Sequence, residues 1–301
     1  MNQQRQAESR GPTISVCLIA KNEEKHIDQC LRSVKTIADE IIFVDTGSTD
    51  RTMEIARKYT DKIWSHPWND SFSEARNHYL EYATGDWIFQ IDADEELVRE
   101  DIPHVLAAIQ DQDIDAILIQ IVNTSRKESC KGVFNVERIF RNNGIIHYEG
   151  RVHNRVVGIT SAKVYPIRFI HYGYDPGQGD TEKKFNRTVA LLKQDLEENP
   201  NSPATHHYLS CSYLSRDMYG ETIEHGLKAI HLTEEQNNHD SMLLWTHYNV
   251  SLAYYRLNNL KLAEETALHA LAMYPDHIDS HFLMILICYD QIRWKTLIHH
   301  A

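Results

Sequence analysis

Short apolar segments alternate with amphipathic helical patterns through the first half of the chain. The segments are rich in the β-branched and aromatic residues that favour buried strands, and the patterns between them repeat apolar residues every three or four positions, as helices do. The apolar segments lie at residues 14–19, 40–44, 62–65 and 87–91. Strands and helices that alternate in this way form a mainly parallel sheet with both faces covered. We therefore predict an α/β fold for this half.

The strand at residues 87–91 ends in a cluster of acids, Asp92, Asp94, Glu95 and Glu96. Open α/β sheets bind ligands beyond the carboxyl ends of their strands, and if the backbone stays extended, Asp92 and Asp94 point to the same side. Two such carboxylates suit Mg²⁺ or Mn²⁺ that also holds phosphate oxygens. The alternative is a solvated first turn of the next helix, where acids favour the positive end of the helix dipole.

The glycine pattern excludes two common ways of holding phosphate groups. The chain has neither the G-x-G-x-x-G of a dinucleotide fold nor a G-x-x-x-x-G-K-[ST] phosphate loop. A cation on the acids would neutralise a diphosphate without close approach of the backbone. The sequence therefore favours a metal-assisted phosphate site.

Composition limits the classes of partner and of cellular location. Acids outnumber bases by 43 to 31 in the 301 residues, and this balance disfavours nucleic-acid binding. No apolar run approaches the roughly 18 residues that span a bilayer, and the polar first ten residues do not form a signal peptide. Five cysteines without a C-x-x-C pair argue against a disulfide framework. We predict a cytoplasmic protein of two domains with no transmembrane segment.

Four motifs in order carry a resemblance to a known family. They are Ile-Ala-Lys-Asn-Glu-Glu at residues 19–24, Val-Asp-Thr-Gly-Ser-Thr-Asp at 44–50, Glu-Ala-Arg-Asn at 74–77 and Ile-Asp-Ala-Asp-Glu at 91–95. Together they resemble the nucleotide-sugar half of family 2 inverting glycosyltransferases with the GT-A fold. The resemblance implies a GT-A domain at residues 13–176 after a disordered segment at 1–12, and a nucleotide-diphosphate sugar donor, UDP-linked.

The resemblance also implies roles for single residues. Asp45 would hydrogen-bond the nucleotide base, Arg76 would lie against the nucleotide or its diphosphate, Asp92 would take the ribose and Asp94 would ligate Mn²⁺ or Mg²⁺. The other predicted nucleotide-sugar contacts are Ala20, Asn22, Glu23 and Ala93. The alternative interpretations are that Asp45 is a turn residue and that Arg76 is a surface arginine of a helix.

Residues 136–141 and 146–154 resemble the acceptor half of the same fold. They are similar to the branch that includes lipopolysaccharide-core glucosyltransferases and bacteriocin peptide S-glycosyltransferases. In much of that branch a glutamate follows the histidine, but here Asn154 stands there and cannot accept a proton. The candidate bases are Glu149, favoured because burial beside Tyr148 would raise the pKa of its carboxyl group, and His153. A thiol acceptor, already partly ionised, would need little help from either.

The segment at residues 169–174 resembles the closing segment of the family's domain. There His171 would complete the metal or diphosphate shell, and the alternative is a structural histidine at a strand end. Residues 175–180 contain two glycines and a proline. This composition predicts either a linker or a mobile lid.

The last third of the chain is helical and repeats itself. Residues 208–213 match 249–254, and residues 224–230 match 265–271, both at an offset of 41. The unit is longer than a tetratricopeptide repeat, which has about 34 residues, and the excess is expected in the connection at 233–241. We predict a tetratricopeptide-like domain at residues 177–301, cut within its last repeat, that binds a partner protein or the acceptor.

The sequence therefore predicts a metal-dependent inverting glycosyltransferase that acts on a glycan, a peptide or a protein. The competing hypothesis is a non-catalytic scaffold, in which the repeats bind a protein and the first domain has lost turnover. Asn154 in place of a glutamate is the residue that raises this alternative. Hydrolysis of the donor distinguishes the two.

Overall fold

The computed structural model describes residues 11–123, 133–172, 178–236 and 241–292. The chain forms two compact units, residues 1–180 and 181–301. The predicted disordered segment at 1–12 lies almost wholly outside the described residues. The predicted boundary after residue 176 stays a prediction, because residues 173–177 also lie outside them. Of the predicted linker or lid at 175–180, residues 178–180 begin a helix.

The first unit alternates strands and helices, as predicted from its periodicity. Its elements are β1 (Ile14–Ala20), α1 (Ile27–Val34), β2 (Glu40–Asp45), α2 (Thr52–Ala56), β3 (Ile63–Ser65), α3 (Phe72–Leu80), β4 (Trp87–Gln90), β5 (Glu95–Leu97), a 3₁₀ turn (Arg99–Asp101), α4 (Ile102–Ala108), β6 (Ala116–Asn123), β7 (Val133–Arg141), β8 (His147–Glu149), β9 (Arg155–Val157) and β10 (Ala162–His171).

Eight of these strands form one sheet in the order β3-β2-β1-β4-β7-β6-β10-β5. The first four strands in this order are parallel, β7 is antiparallel to both of its neighbours, and β6 and β10 are parallel again. β8 and β9 form a separate antiparallel pair. The predicted mainly parallel α/β fold is confirmed. Because β2, β1 and β4 run in the same direction, the loops after them meet at one edge of the sheet.

The central strand β4 is fully buried because the sheet is covered on both faces. Trp87 and Phe89 pack with Ile27 on one face, whereas Ile88 packs with Tyr79 on the other. Alternate side chains of a strand point to opposite faces, and each such apolar side chain contributes about 1.5–3 kcal/mol when it leaves water. This packing fixes the strand whose end carries the acids.

The helix after residue 101 buries only one of its faces. In the structure Leu106 is 46% exposed, whereas Val105 and Ile109 are buried. α4 is only two turns long, and its buried face is set by Val105 and Ala108, three residues apart.

The second unit is helical throughout the part of it that the structure describes. Its helices are α5 (Gln178–Glu198), whose first three residues belong to the first unit, α6 (Pro203–Leu214), α7 (Tyr219–Glu235), α8 (Ser241–Arg256), α9 (Leu260–Met273) and α10 (Ile278–Asp290). None of the described helices in either unit combines the length and apolar character of a membrane span. Residues 293–301, where the last repeat was predicted to be cut, lie outside the described residues.

The predicted repeat of the helices is visible as a repeated contact. Ser210 Oγ donates to the Thr222 carbonyl at 2.9 Å, and Ser251 Oγ donates to the Ala263 carbonyl at 2.6 Å. The two donors, and likewise the two acceptors, are separated by the offset found in the sequence. A side-chain carbon on Gly226 would lie 2.3 Å from Val250, so only glycine allows this approach of α7 to α8. The helices therefore stack as repeats that bury their faces against neighbours.

Histidines recur at one repeat position and are buried there. His206 Nδ1 lies 2.9 Å from His225 Nδ1, a contact that requires at least one neutral ring. His247, which takes the place of His206 in the next repeat, stacks on His269 with ring centroids 5.5 Å apart. Its Nδ1 is buried without a hydrogen-bond partner among the described residues. Burial, and then the positive charge of His269, lower the pKa of His247 to about 4.

We predict that the helical unit loses stability in mild acid through His247. An unfolded histidine has a pKa near 6.5, so between about pH 6.5 and 4 the unfolded chain binds more protons, and stability falls as pH falls. The decrease approaches about 1.4 kcal/mol per pH unit for one such group. Urea unfolding of the full chain, followed by circular dichroism from pH 7 to 5, should show a shallower decline for His247→Gln.

The matched control is His231→Gln, because this histidine lies on α7 with an exposed side chain. It should decline with pH as the wild type does. Equal slopes for the wild type and His247→Gln would show that His247 does not cause the acid sensitivity.

Candidate functional site

The loops after β1 and β2 interlock at the carboxyl edge of the sheet. The Ala20 carbonyl accepts a hydrogen bond from Thr46 N at 2.9 Å. Asn22 N donates to Ser48 Oγ at 3.0 Å, and Asn22 Oδ1 accepts from Thr49 N at 2.8 Å. Asn22 has φ of 59°, a left-handed conformation that asparagine tolerates better than most residues. Ala20 and Asn22 thus shape the loops where the nucleotide was predicted to bind.

Asp45 lies at the end of β2 and is nearly buried. Its carboxylate accepts hydrogen bonds from Gly47 N at 3.1 Å and from Ser48 N at 3.1 and 3.2 Å. Asp45 is therefore a turn residue, which is the alternative that the sequence left open. Its carboxylate can still accept a further hydrogen bond, because a carboxylate has about four acceptor positions. Contact of Asp45 with a nucleotide base stays a prediction.

The pKa of Glu23 reflects the negative charge at this edge of the sheet. Its backbone N–H donates to Thr52 Oγ1 at 2.7 Å. Burial raises the pKa of its carboxyl group to about 7, and the charges of Asp94, Asp50 and Asp92 add to the shift. Like charges that converge in this way favour a bound cation.

Asp92 is the most heavily bonded acid of the site. Its Oδ1 accepts from Arg76 Nη2 at 2.7 Å and from Gln90 Nε2 at 2.9 Å, and its Oδ2 accepts from Arg138 Nη2 at 2.9 Å. Burial by itself would raise the pKa of Asp92, but the charges of Arg138 and Arg76 outweigh burial and hold that pKa well below its usual range. Asp92 is therefore a fixed anion.

Arg76 is not a surface arginine, so that alternative is wrong. Only 12% of its side chain is exposed, because α3 packs this face against the sheet. Besides its bond to Asp92, it donates to Asn154 Oδ1 at 3.2 Å and lies 5.5 Å from the centroid of the Tyr148 ring. Arg76 Nε and Asn154 Nδ2 are buried and have no hydrogen-bond partner in the described part of the chain.

The sequence analysis missed Arg138 and the role of Glu95. Arg138 on β7 has 13% of its side chain exposed and donates to Glu95 Oε1 at 2.6 Å as well as to Asp92. Burial raises the pKa of Glu95. A charged residue among the apolar residues Val136, Ile139 and Phe140 was the available signal, because a charge that is buried must find a partner of opposite charge.

The extended backbone on which the shared side of Asp92 and Asp94 was predicted is not formed, so that premise is wrong. The backbone leaves the extended conformation after Ile91, and Glu95 N donates to the Asp92 carbonyl at 3.0 Å to close a turn. We call residues 92–95 the acidic turn. Within it Asp92 faces the arginines, whereas Asp94 Oδ2 lies 3.2 Å from His171 Nε2. Ala93 between them is buried.

His171 lies beside Asp94, and a second residue orients its ring. Its Nδ1 lies 2.7 Å from Asn123 Oδ1, and this contact orients the ring so that Nε2 faces Asp94. The hydrogen bond to Asp94 raises the pKa of His171, although burial opposes this shift. An imidazole held in this way by a second residue is typical of a metal ligand.

This pair fits a divalent cation that the substrate helps to hold. No group of three or more His, Cys, Asp or Glu side chains within the described ranges is arranged to hold a metal ion. Mg²⁺ is commonly bound by one or two protein carboxylates together with substrate phosphates and water. Asp94 and His171 would supply two ligands, and a diphosphate would supply others.

The reason for favouring Glu149 as a base is wrong. β8 alternates, so Tyr148 is buried toward Arg76, while the Glu149 side chain is 52% exposed and lies 3.6 Å from both Arg155 and His147. His153 is exposed and has φ of 50°.

The segment between the two candidate bases is not extended. Gly150 has φ of 90°, and the chain bends between residues 150 and 153. Glu149 and His153 therefore do not lie on a common strand face.

Comparisons with known proteins agree with this architecture. Residues 15–149 match the family model "Glycosyl transferase family 2". The SPbeta prophage-derived glycosyltransferase SunS of Bacillus subtilis is 30% identical over 239 residues, which are 75% of this chain and 55% of that protein. A TPR repeat-containing protein of Synechococcus elongatus is 35% identical over 195 residues, 61% of this chain and 47% of that protein.

The chain spans about half the length of the curated relatives it matches. Among solved structures, S. aureus TarS 1-349 in complex with UDP-GlcNAc aligns with a TM-score of 0.43 at 15% identity, over 95% of this chain and 89% of that one. The family resemblance of the four motifs and the tetratricopeptide-like character of the second unit are confirmed by the family model and the two relatives.

Proposed function

We propose that this protein, whose residues 15–149 match the glycosyl transferase family 2 model, is an inverting glycosyltransferase that uses a UDP-linked sugar and a divalent cation. The observation that supports the proposal is that two acids of the acidic turn, Asp92 and Asp94, contact different residues. Asp92 is fixed by two buried arginines, whereas Asp94, two residues later, faces His171. One acid is thereby oriented for a nucleoside and the other is available to a cation.

The residues of the site would act on the donor in distinct ways. Arg76 and Asp92 would orient the nucleoside diphosphate, and Asp94 with His171 would hold Mn²⁺ or Mg²⁺. When bound, the cation supplies positive charge to the diphosphate leaving group. Glu23 lies close to Asp94, because the charge of Asp94 contributes to the raised pKa of Glu23.

Asp94→Asn should abolish the part of UDP binding that depends on Mn²⁺ and leave the fold intact. The substitution removes a ligand charge from a half-buried turn residue and little packing, and we expect a loss of about 10- to 100-fold in affinity. Calorimetry of UDP with Mn²⁺ and with EDTA is the measurement. Glu96→Gln is the matched control, because Glu96 contacts Gln29 and Tyr172 instead of His171. Unchanged affinity in Asp94→Asn would refute the metal assignment.

Asp45→Ala should weaken UDP binding even in EDTA. A hydrogen bond to the base, if lost, costs about 1–3 kcal/mol because the buried partner is left unsatisfied. Asp50→Ala is the control for loop disorder, because Asp50 caps the same loop through Thr52 N at 2.9 Å. An equal loss in both variants would assign Asp45 to the loop alone.

We propose His153 over Glu149 as the group that accepts the acceptor's proton. The Glu149 side chain points away from Arg76, whereas His153 precedes Asn154, whose side chain reaches Arg76. General base catalysis typically contributes about 10²- to 10⁴-fold. His153→Gln should therefore lower donor turnover while UDP binding is retained, and Glu149→Gln should turn over nearly as the wild type does.

Hydrolysis of UDP-glucose and UDP-GlcNAc, tested in parallel, measures this turnover while the acceptor is unknown. Lost turnover in Glu149→Gln with normal UDP binding would return the role to Glu149. Normal turnover in both variants would leave deprotonation to the acceptor itself.

The acceptor class is proposed from the second unit. Tetratricopeptide-like repeats expose extended surfaces suited to protein segments, so we favour a peptide or protein acceptor, or a protein partner that presents a glycan. A cytoplasmic location stays a prediction.

Asn154 favours one competing function, a non-catalytic scaffold. The charge cluster argues against the scaffold. Two buried arginines keep Nε groups that have no hydrogen bonds to the described residues, which costs free energy. A scaffold has no need to retain these arginines. Sugar release by the wild type, with Asp94→Asn as the blank, separates the two functions.

A further inference from the structure

One side chain from the neighbouring strand contacts the acidic turn at two points and the end of β4 at a third. Arg138 lies on β7, which pairs with β4 directly before the turn. Its Nη2 donates to Asp92 Oδ2 at 2.9 Å and to Glu95 Oε1 at 2.6 Å, and its Nη1 donates to Gln90 Oε1. A single planar group therefore contacts residues before the turn, at its start and at its end.

The same three partners are also bonded to one another. Gln90 Nε2 donates to Asp92 Oδ1 at 2.9 Å, and Asp92 N donates to Glu95 Oε2 at 2.9 Å. Asp94 stands between the two fixed acids, and its carbonyl accepts from Tyr172 N at 2.9 Å. With both ends of the turn fixed, little freedom remains for the residue between them.

We propose that Arg138 is a positioning residue that holds Asp94 beside His171 before donor and cation bind. The inference rests on the proposed function, since it concerns the cation site of that function. Arg138 would act through Asp92 and Glu95 and need not touch the substrate. The gain is preorganisation: the ordering of the turn is complete before binding.

An arginine suits this role for reasons of shape and charge. Its planar fork reaches several acceptors at once, whereas the ammonium of a lysine is a compact point charge. Glu95 is almost completely buried, and a buried carboxylate without a cation is strongly destabilising. Arg76 cannot take over the role of Arg138, because Arg76 donates to the other carboxylate oxygen of Asp92 and to Asn154.

Arg138→Lys tests the inference, with Arg141→Lys as the matched control. Arg141 lies on the same strand, packs 4.2 Å from the Trp87 ring and donates to the carbonyls of Asp111 and Ile114. It therefore contributes to packing without bonding to the acidic turn. The readout is the ratio of UDP affinity with Mn²⁺ to UDP affinity in EDTA, measured by calorimetry on the full chain, together with the melting temperature.

We expect Arg138→Lys to lower this ratio by about 10-fold or more, as loss of a supporting residue behind a metal ligand typically does. Arg141→Lys should lower the melting temperature and leave the ratio unchanged. The inference is overturned if Arg138→Lys keeps the wild-type ratio, or if both variants lower the ratio in proportion to their loss of melting temperature.

A second variant covers the case in which Arg138→Lys does not fold. Arg138→Gln combined with Glu95→Gln removes one buried charge of each sign, so that neither position keeps an unpaired buried charge. This double variant should fold and still lose the Mn²⁺ enhancement, and a wild-type enhancement would overturn the inference. Absence of Mn²⁺-dependent UDP binding in the wild type would instead refute the metal-dependent function and the inference with it.

Discussion

Two buried arginines share the carboxylate of Asp92, and the candidate site depends on that sharing. Arg76 comes from α3 and Arg138 from β7, so the three residues are brought together only when helix and sheet have assembled. Burial works against the charge of Asp92, and the two guanidinium groups reverse that effect and keep its pKa low. Glu95 supplies the second negative charge, so two cations face two anions. The site is therefore a consequence of the completed fold.

The contact between Arg76 and Asn154 extends this cluster to the segment between β8 and β9. Asn154 has lost the ability to accept a proton that a glutamate would have, but its Oδ1 accepts a hydrogen bond from Arg76. A glutamate there would place a second carboxylate next to Arg76 and change the balance of charge around Asp92. Asn154 thus connects the loop after β8 to the pair formed by Arg76 and Asp92.

The parts of the structure that depend on local periodicity could be predicted from sequence. The strands, the acids at the end of β4 and the spacing of the helical repeats are such features. Arg138 could not be placed, because its partner Asp92 lies 46 residues earlier and meets it only across the sheet. Glu149 was misjudged because strand parity buries Tyr148 and exposes its neighbour. The acidic turn was misjudged because a backbone hydrogen bond reverses the chain at that point.

The two units respond differently to acid because they bury opposite kinds of titrating group. In the first unit the two arginines hold the pKa of Asp92 well below its usual range, so Asp92 stays ionised in mild acid. In the second unit burial favours neutral histidines, and His206, His225 and His247 all have lowered pKa values. Protonation of these rings opposes the packing between repeats. A fall in pH from 7 toward 5 therefore opposes packing in the helical repeats, while the carboxylate of Asp92 stays ionised.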